Sequence, residues 1–91
     1  WRTTRRTPGE ADLLLEKGIE ALHQATAEEM AQAVIYLREA VALAPDNAAA
    51  WGALALAYRK SLAYTPPEQQ AGVRASALGA ARRSLELDPD S

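Results

Sequence analysis

The ten residues Arg38-Glu-Ala-Val-Ala-Leu-Ala-Pro-Asp-Asn47 recur, in altered form, as Arg82-Arg-Ser-Leu-Glu-Leu-Asp-Pro-Asp-Ser91. In both copies an apolar stretch with helical spacing leads into a proline, and the residue before a proline avoids helical geometry. The two prolines, Pro45 and Pro89, lie 44 positions apart. The sequence therefore predicts two successive repeats, each closed by a helix that ends just before its proline.

Capping signals divide the rest of the chain into helices. Three segments, Thr7–Glu10, Thr26–Glu29 and Thr65–Glu68, place Glu three residues after Thr, which is the spacing of a helix N-terminal capping box. After Pro45, either Asp46 or Asn47 can cap a further helix. The connections are short, so neighbouring helices are expected to be antiparallel. The four predicted helices cover about residues 8–24, 27–44, 48–63 and 66–87.

The amino-acid composition favours an all-α domain. The chain has 91 residues, of which 21 are Ala and 12 are Leu, while Phe and Cys are absent. Ala and Leu are strong helix formers, and β-branched residues are scarce. The net charge of −2 and the pI near 5.3 disfavour a nucleic-acid-binding protein, which would usually be basic. With no apolar run of about 18 residues, we expect no membrane insertion by this chain.

Two motifs resemble halves of the tetratricopeptide repeat (TPR) signature. The segment Trp51-x-x-Leu54-Ala55-x-x-Tyr58 is similar to W-x₂-L-G-x₂-Y, and Ala33-x₃-Leu37-x₂-Ala40-x₄-Pro45 is similar to the second half. Residues 77–89 repeat that second half more weakly. The resemblance covers about residues 9–91. It implies an all-α solenoid of two tandem TPR-like helical hairpins, with repeat one at about 8–45 and repeat two at about 46–91.

Within that arrangement, particular residues are expected to set the packing. Gly18 and Ala55 are small where the two helices of each repeat cross, so the backbones can approach closely. Trp51 and Tyr58 share one face and are expected to fill the space between repeats. The second repeat exceeds the usual length of about 34 residues by about 10. We expect both of its helices to be longer, with a tip near residues 64–67 that projects beyond its neighbours.

Catalytic and ligand-binding signals are weak. The one histidine, His23, lies near the end of the first predicted helix and has no partner at metal-ligand spacing. Acidic residues such as Glu29 and Asp88 fit capping and turn roles instead. There is no glycine-rich phosphate-binding motif. We therefore expect a non-catalytic chain without a cofactor or metal site.

The resemblance to TPR proteins implies a partner-binding groove lined by the first helix of each repeat. Some TPR domains bind C-terminal carboxylates with Lys, Asn and Arg, but the corresponding positions here are apolar or small, so no such clamp is expected. The predicted groove is shallow and apolar with basic residues at one end, which suits an apolar helix or peptide with an acidic end. Alternatively, these residues pack against another segment of a longer protein. The predicted groove residues are Leu15, Ile19, His23, Ala49, Gly52, Ala53, Leu56, Arg59 and Lys60.

The leading functional hypothesis is a protein–protein interaction module of a larger protein. Two alternatives stay open: a structural spacer or dimerisation element, and a regulatory region of a signalling enzyme or transcriptional regulator. A solenoid needs a polar face at its end. The last predicted helix instead carries Leu78, Ala81, Leu85 and Leu87, so we expect its open face to self-associate or to contact a further repeat.

The sequence before the first predicted helix bears on the cellular location of the protein. Residues 1–7 contain Arg2, Arg5 and Arg6 and are interpreted as a basic linker or, alternatively, as the flank of a membrane span. The second repeat is also similar to TPR regions of bacterial proteins in which such arrays follow a winged-helix or adenylate cyclase domain. That similarity implies a bacterial, multidomain parent protein. We expect a cytoplasmic location, with attachment to a membrane span in the longer protein as the alternative.

Overall fold

The computed structural model describes residues 9–24 and 26–90, which form four α-helices and one short 3₁₀ turn, without strands. The predicted all-α class and the four predicted helices are confirmed. No helix in the described part of the chain is both long and apolar enough to cross a membrane. The elements are α1 (Gly9–Leu22), α2 (Ala27–Leu43), α3 (Ala48–Ser61), the 3₁₀ turn (Leu62–Tyr64) and α4 (Pro67–Leu87).

Two of the predicted caps begin helices as expected. The Thr26 hydroxyl accepts a hydrogen bond from the backbone N–H of Glu29 at 3.1 Å, which caps α2. Asn47, rather than Asp46, caps α3, because its side-chain oxygen accepts from the N–H of Ala50 at 3.1 Å. Each cap satisfies one of the backbone donors left unpaired in the first helical turn.

The predicted capping box at Thr65 is wrong. Helix α4 begins at Pro67, and Pro66 occupies the cap position without any side-chain hydrogen bond. A proline disfavours helical geometry in the residue before it, so Pro67 holds Pro66 extended, at φ −59° and ψ 147°. The Thr65 hydroxyl instead donates to the carbonyl of Ser61 at 2.7 Å and closes the preceding turn. The expected linker over residues 1–7 and the start of the first capping box lie outside the described residues.

Helices α1 and α2 pack side by side and run in opposite directions. The early α1 residues Glu10 and Leu14 lie beside Leu43 near the end of α2. At mid-helix, Gly18 faces the fully buried Leu37, and a β-carbon at Gly18 would come within 2.5 Å of the Leu37 γ-carbon. Glycine at this crossing therefore allows the close approach that the sequence predicts.

Helices α3 and α4 form a second antiparallel pair with small residues at their contact. The hydroxyl of Ser84, near the end of α4, donates to the carbonyl of Ala48, the first residue of α3, at 2.9 Å. A β-carbon at Gly52 would lie 3.2 Å from the same hydroxyl oxygen. Ser84 is buried with its donor satisfied, so the close contact leaves no unpaired hydroxyl.

Helix α3 contacts the first pair as well as α4. Its residues Ala50 and Ala57 are 0% exposed, and Leu54 is 3% exposed, so one face of the helix is completely covered. Trp51 and Tyr58 are half-buried and pack against this core. The Trp51 indole N–H donates to the carbonyl of Pro45 at 2.8 Å, which fixes the ring against the connection between α2 and α3.

The additional length of the second pair lies at its tip. Helix α4 has 21 residues against 17 in α2, whereas α3 and α1 both have 14. The prediction of longer helices is thus right for α4 and wrong for α3, whose last turn tightens into the 3₁₀ turn. Tyr64 is 50% exposed at this tip, and the adjoining Pro66 and Pro67 are exposed as well.

We predict opposite effects from two glycine-to-alanine substitutions. Gly72→Ala, at an exposed site in α4 with no atom within 4 Å of the new β-carbon, should raise the free energy of unfolding by about 0.5–1 kcal/mol through helix propensity. Gly18→Ala gains the same propensity but forces the buried Leu37 to move, so it should lower that free energy by about 1–2 kcal/mol. Urea unfolding followed by circular dichroism measures both. Equal stabilisation by the two variants would contradict the close α1–α2 contact.

Candidate functional site

An open groove of about 640 Å³ runs between α3 and α4. Its floor is made of small residues, and larger apolar side chains rise at its edges. Two arginines and Leu62 lie at the end nearest the tip. The lining residues are Gly52, Ala55, Leu56 and Arg59 from α3, Leu62 from the 3₁₀ turn, and Arg74, Ala77, Leu78, Ala81, Ser84 and Leu85 from α4.

The edges of the groove expose apolar surface to solvent. Leu56 is 36% exposed, Leu78 is 52% exposed and Leu85 is 53% exposed, although all three line the same groove. Single exposed leucines are ordinary on protein surfaces, but a contiguous apolar patch around a concave site marks an interaction surface. The floor residues Ala55, Ala77 and Ser84 are already buried and fix the shape of the groove.

The groove has a positively charged end. Arg59 lies in the last turn of α3 and Arg74 in the second turn of α4, and both are exposed. Arg74 donates a long hydrogen bond of 3.4 Å to the amide oxygen of Gln70. Among the residues that the structure describes, the one ion pair joins Arg83 to Glu86, so neither groove arginine has a carboxylate partner there.

The predicted repeat of 44 residues allows the groove to be compared with the first pair. Residues of α2 and α4 that lie 44 positions apart can be compared directly. Where both members are buried, as at Ala33 and Ala77, the position faces the other helix of its own pair. At other positions only the α2 member is buried, as at Val41 (7% exposed) and Leu85 (53% exposed). Because α3 packs against α2, we infer that such positions form the face of α2 that α3 covers, and that the groove corresponds to this face.

The structure brings together three of the nine predicted groove residues. Gly52, Leu56 and Arg59 line the groove between α3 and α4. Leu15 and Ala53 are half-buried and pack against the core instead. The remaining four, Ile19, His23, Ala49 and Lys60, are exposed and do not line this groove.

Sequence reasoning missed that α4 supplies half of the site. Leu78, Ala81 and Leu85 were expected on an open face, but not in one groove with α3, whereas Leu87 is half-buried outside it. Arg74 was not singled out at all. The residue 44 positions before Arg74 is the buried Met30. A comparison of these two positions could have identified Arg74.

The described ranges 9–24 and 26–90 also contain smaller surface depressions of about 250–310 Å³ on α1 and α2. Within these ranges, no group of three or more His, Cys, Asp or Glu side chains is arranged to hold a metal ion. Comparisons of the chain with protein-family models, with curated proteins and with solved structures find no match. The features that indicate a function are the groove and the internal repeat.

We predict that aspartate is tolerated in the groove but not at the equivalent covered position. Leu85→Asp should change the free energy of unfolding by about 0.5 kcal/mol or less, because the side chain is already in contact with water. Val41→Asp buries a carboxylate without a partner and should cost about 3 kcal/mol or more. Thermal and urea unfolding measure both variants, and Val41→Ala gives a reading if Val41→Asp does not fold. A large loss of stability in Leu85→Asp would contradict an unoccupied groove.

Proposed function

We propose that this chain is a TPR-like protein-interaction module that binds a helical segment of a partner protein in the groove between α3 and α4. In this proposal the two helix pairs are tandem hairpins of the same kind, and the chain itself carries out no chemistry. The TPR-like motifs at Trp51–Tyr58 and Ala33–Pro45 support the assignment. The contacts of α1 with α2, of α2 with α3 and of α3 with α4 agree with it.

One observation carries the proposal: residues of α4 that line the open groove, such as Leu85, stand 44 positions after residues of α2 that are buried, such as Val41. Helix α3 packs on the first pair through a face of small residues and Leu54, with Ala50 and Ala57 completely buried. A partner helix with a similar face would meet Ala81, Leu78 and Leu85 in the second pair. Docking of an amphipathic helix into an apolar groove is a common mode of recognition.

The dimensions of the groove fit a helix of about three turns. The side formed by α3 and the 3₁₀ turn extends from Gly52 to Leu62. At a rise of about 1.5 Å per residue, this span is roughly 15 Å long. A helix of about 10–12 residues can cover it, which is comparable to α3 itself with 14 residues.

Dimerisation through the same groove is the second candidate, favoured by the exposed Leu78 and Leu85 on one side of α4. A two-fold dimer would place this face of one protomer against the same face of its partner. Sedimentation equilibrium separates the candidates, because a dimer that Leu85→Glu dissociates supports self-association. The regulatory-region hypothesis concerns the parent protein and stays a prediction.

The proposed function predicts binding of a helical peptide at this groove and not on α1. The probe is the peptide of residues 47–58 of this chain, labelled with fluorescein and held helical by a lactam bridge between Glu and Lys side chains that replace Gly52 and Leu56 on the face opposite Ala50. Fluorescence anisotropy should show saturable binding, which Leu78→Glu and Leu85→Glu each weaken by at least about tenfold, since each buries a charge against the apolar helix.

Ile19→Glu is the control, because Ile19 is an apolar residue of α1 that is 40% exposed and does not line the groove. This variant should bind the peptide as the parent chain does. Absence of binding to the parent chain, or equal loss in Ile19→Glu, would contradict recognition by the groove.

A further inference from the structure

The two pairs differ most at the end of the groove nearest the tip. In the first pair the corresponding positions hold Leu22 and Met30, which are 6% and 2% exposed. In the second pair they hold Arg59 and Arg74, at offsets of 37 and 44 residues. The end that is apolar and closed beneath α3 is therefore cationic in the open groove.

This replacement changes which helix can occupy the groove. An apolar helix end placed over two arginines would remove water from their guanidinium groups without offering acceptors, and leaving such groups unpaired is costly. The described residues provide no carboxylate partner for either arginine. A partner that supplies carboxylates gains charge-assisted hydrogen bonds, and each guanidinium can bind a carboxylate in a bidentate manner.

We propose that the partner helix is amphipathic and carries carboxylates in the turn that lies over Arg59 and Arg74. This inference rests on the proposed function, since it specifies the occupant of the same groove. The middle of the helix meets Leu78, Ala81 and Leu85 through small apolar residues and a central leucine, as α3 does in the first pair. Affinity comes from the apolar contact, and the arginines select the acidic end.

The arrangement of the first pair also gives the direction of the partner helix. Helix α2 is antiparallel to α1, and the short connection Ala44–Asn47 makes α3 antiparallel to α2. Helix α3 therefore runs parallel to α1. A helix docked in the same way on the second pair runs parallel to α3 and places its C-terminal turn over Arg59 and Arg74. The unpaired carbonyls of that turn carry a partial negative charge, which the arginines also stabilise.

The test uses three lactam-bridged peptides that share the face of residues 47–58 and differ in two added C-terminal residues, Glu-Glu, Gln-Gln or Lys-Lys. At low salt, the Glu peptide should bind the parent chain about tenfold more tightly than the Gln peptide, and the Lys peptide should bind more weakly than both. Raising sodium chloride to about 0.5 M should reduce the difference, because exposed ion pairs are screened.

The residues of the first pair define a matched variant of the groove. The double substitution Arg59→Leu/Arg74→Met gives the open groove the residues of the first pair and should abolish the preference for Glu over Gln. Arg59→Gln/Arg74→Gln serves the same purpose if the apolar variant aggregates. Circular dichroism establishes that each variant keeps the fold.

The outcomes separate this inference from the proposed function. Equal affinity of the parent chain for the Glu and Gln peptides would overturn the acidic partner while leaving helix binding in place. Tighter binding of the Lys peptide than of the Glu peptide would also overturn the acidic partner. Failure of all three peptides to bind overturns the proposed function and this inference together. A groove-mediated dimer that excludes every peptide would show that a second copy of the chain, and not an acidic helix, is the occupant.

Discussion

One face of α3 is completely buried, and this burial holds the two helix pairs together. Ala50 and Ala57 have no exposed surface, and Leu54 between them is 3% exposed. Alanine contributes little apolar area, so this face stabilises the fold by allowing the helix backbones to approach closely and pack densely. Because α3 contacts α1, α2 and α4, its packing fixes the orientation of the first pair relative to the second.

The opposite face of α3 packs against α4 and forms one side of the groove. Gly52 allows Ser84 to approach, and the Ser84 hydroxyl is paired with the carbonyl of Ala48. With α4 held so close, the groove is shallow, its floor is buried and its leucine edges remain exposed. The molecule thus contains one groove that a helix fills and a second that the described residues leave open. The arginines at the end of the second groove distinguish its expected occupant from α3.

Much of the fold could be predicted from local sequence rules. Thr26 and Asn47 cap helices as their side chains predict, and α2 ends two residues before Pro45. Local rules failed at Thr65, where two prolines in succession determine the helix start more strongly than the capping pattern does. The candidate site was harder to predict, because periodicity shows which residues share a face and not which neighbour covers that face. The contribution of Arg74 in particular depends on the packing of α4 beside α3.

The most direct test of the account is to give the open groove a helix of the kind that fills the first one. Residues 48–61 are appended after Ser91, which stands 44 positions after the cap residue Asn47, with Glu replacing Arg59 and Lys60 in the added copy only. Nuclear Overhauser effects to the methyl groups of Leu78 and Leu85 report on docking. We predict contacts from the added helix to both leucines and a higher free energy of unfolding. Random-coil shifts in the added segment, with both leucines unchanged, would contradict the equivalence of the two grooves.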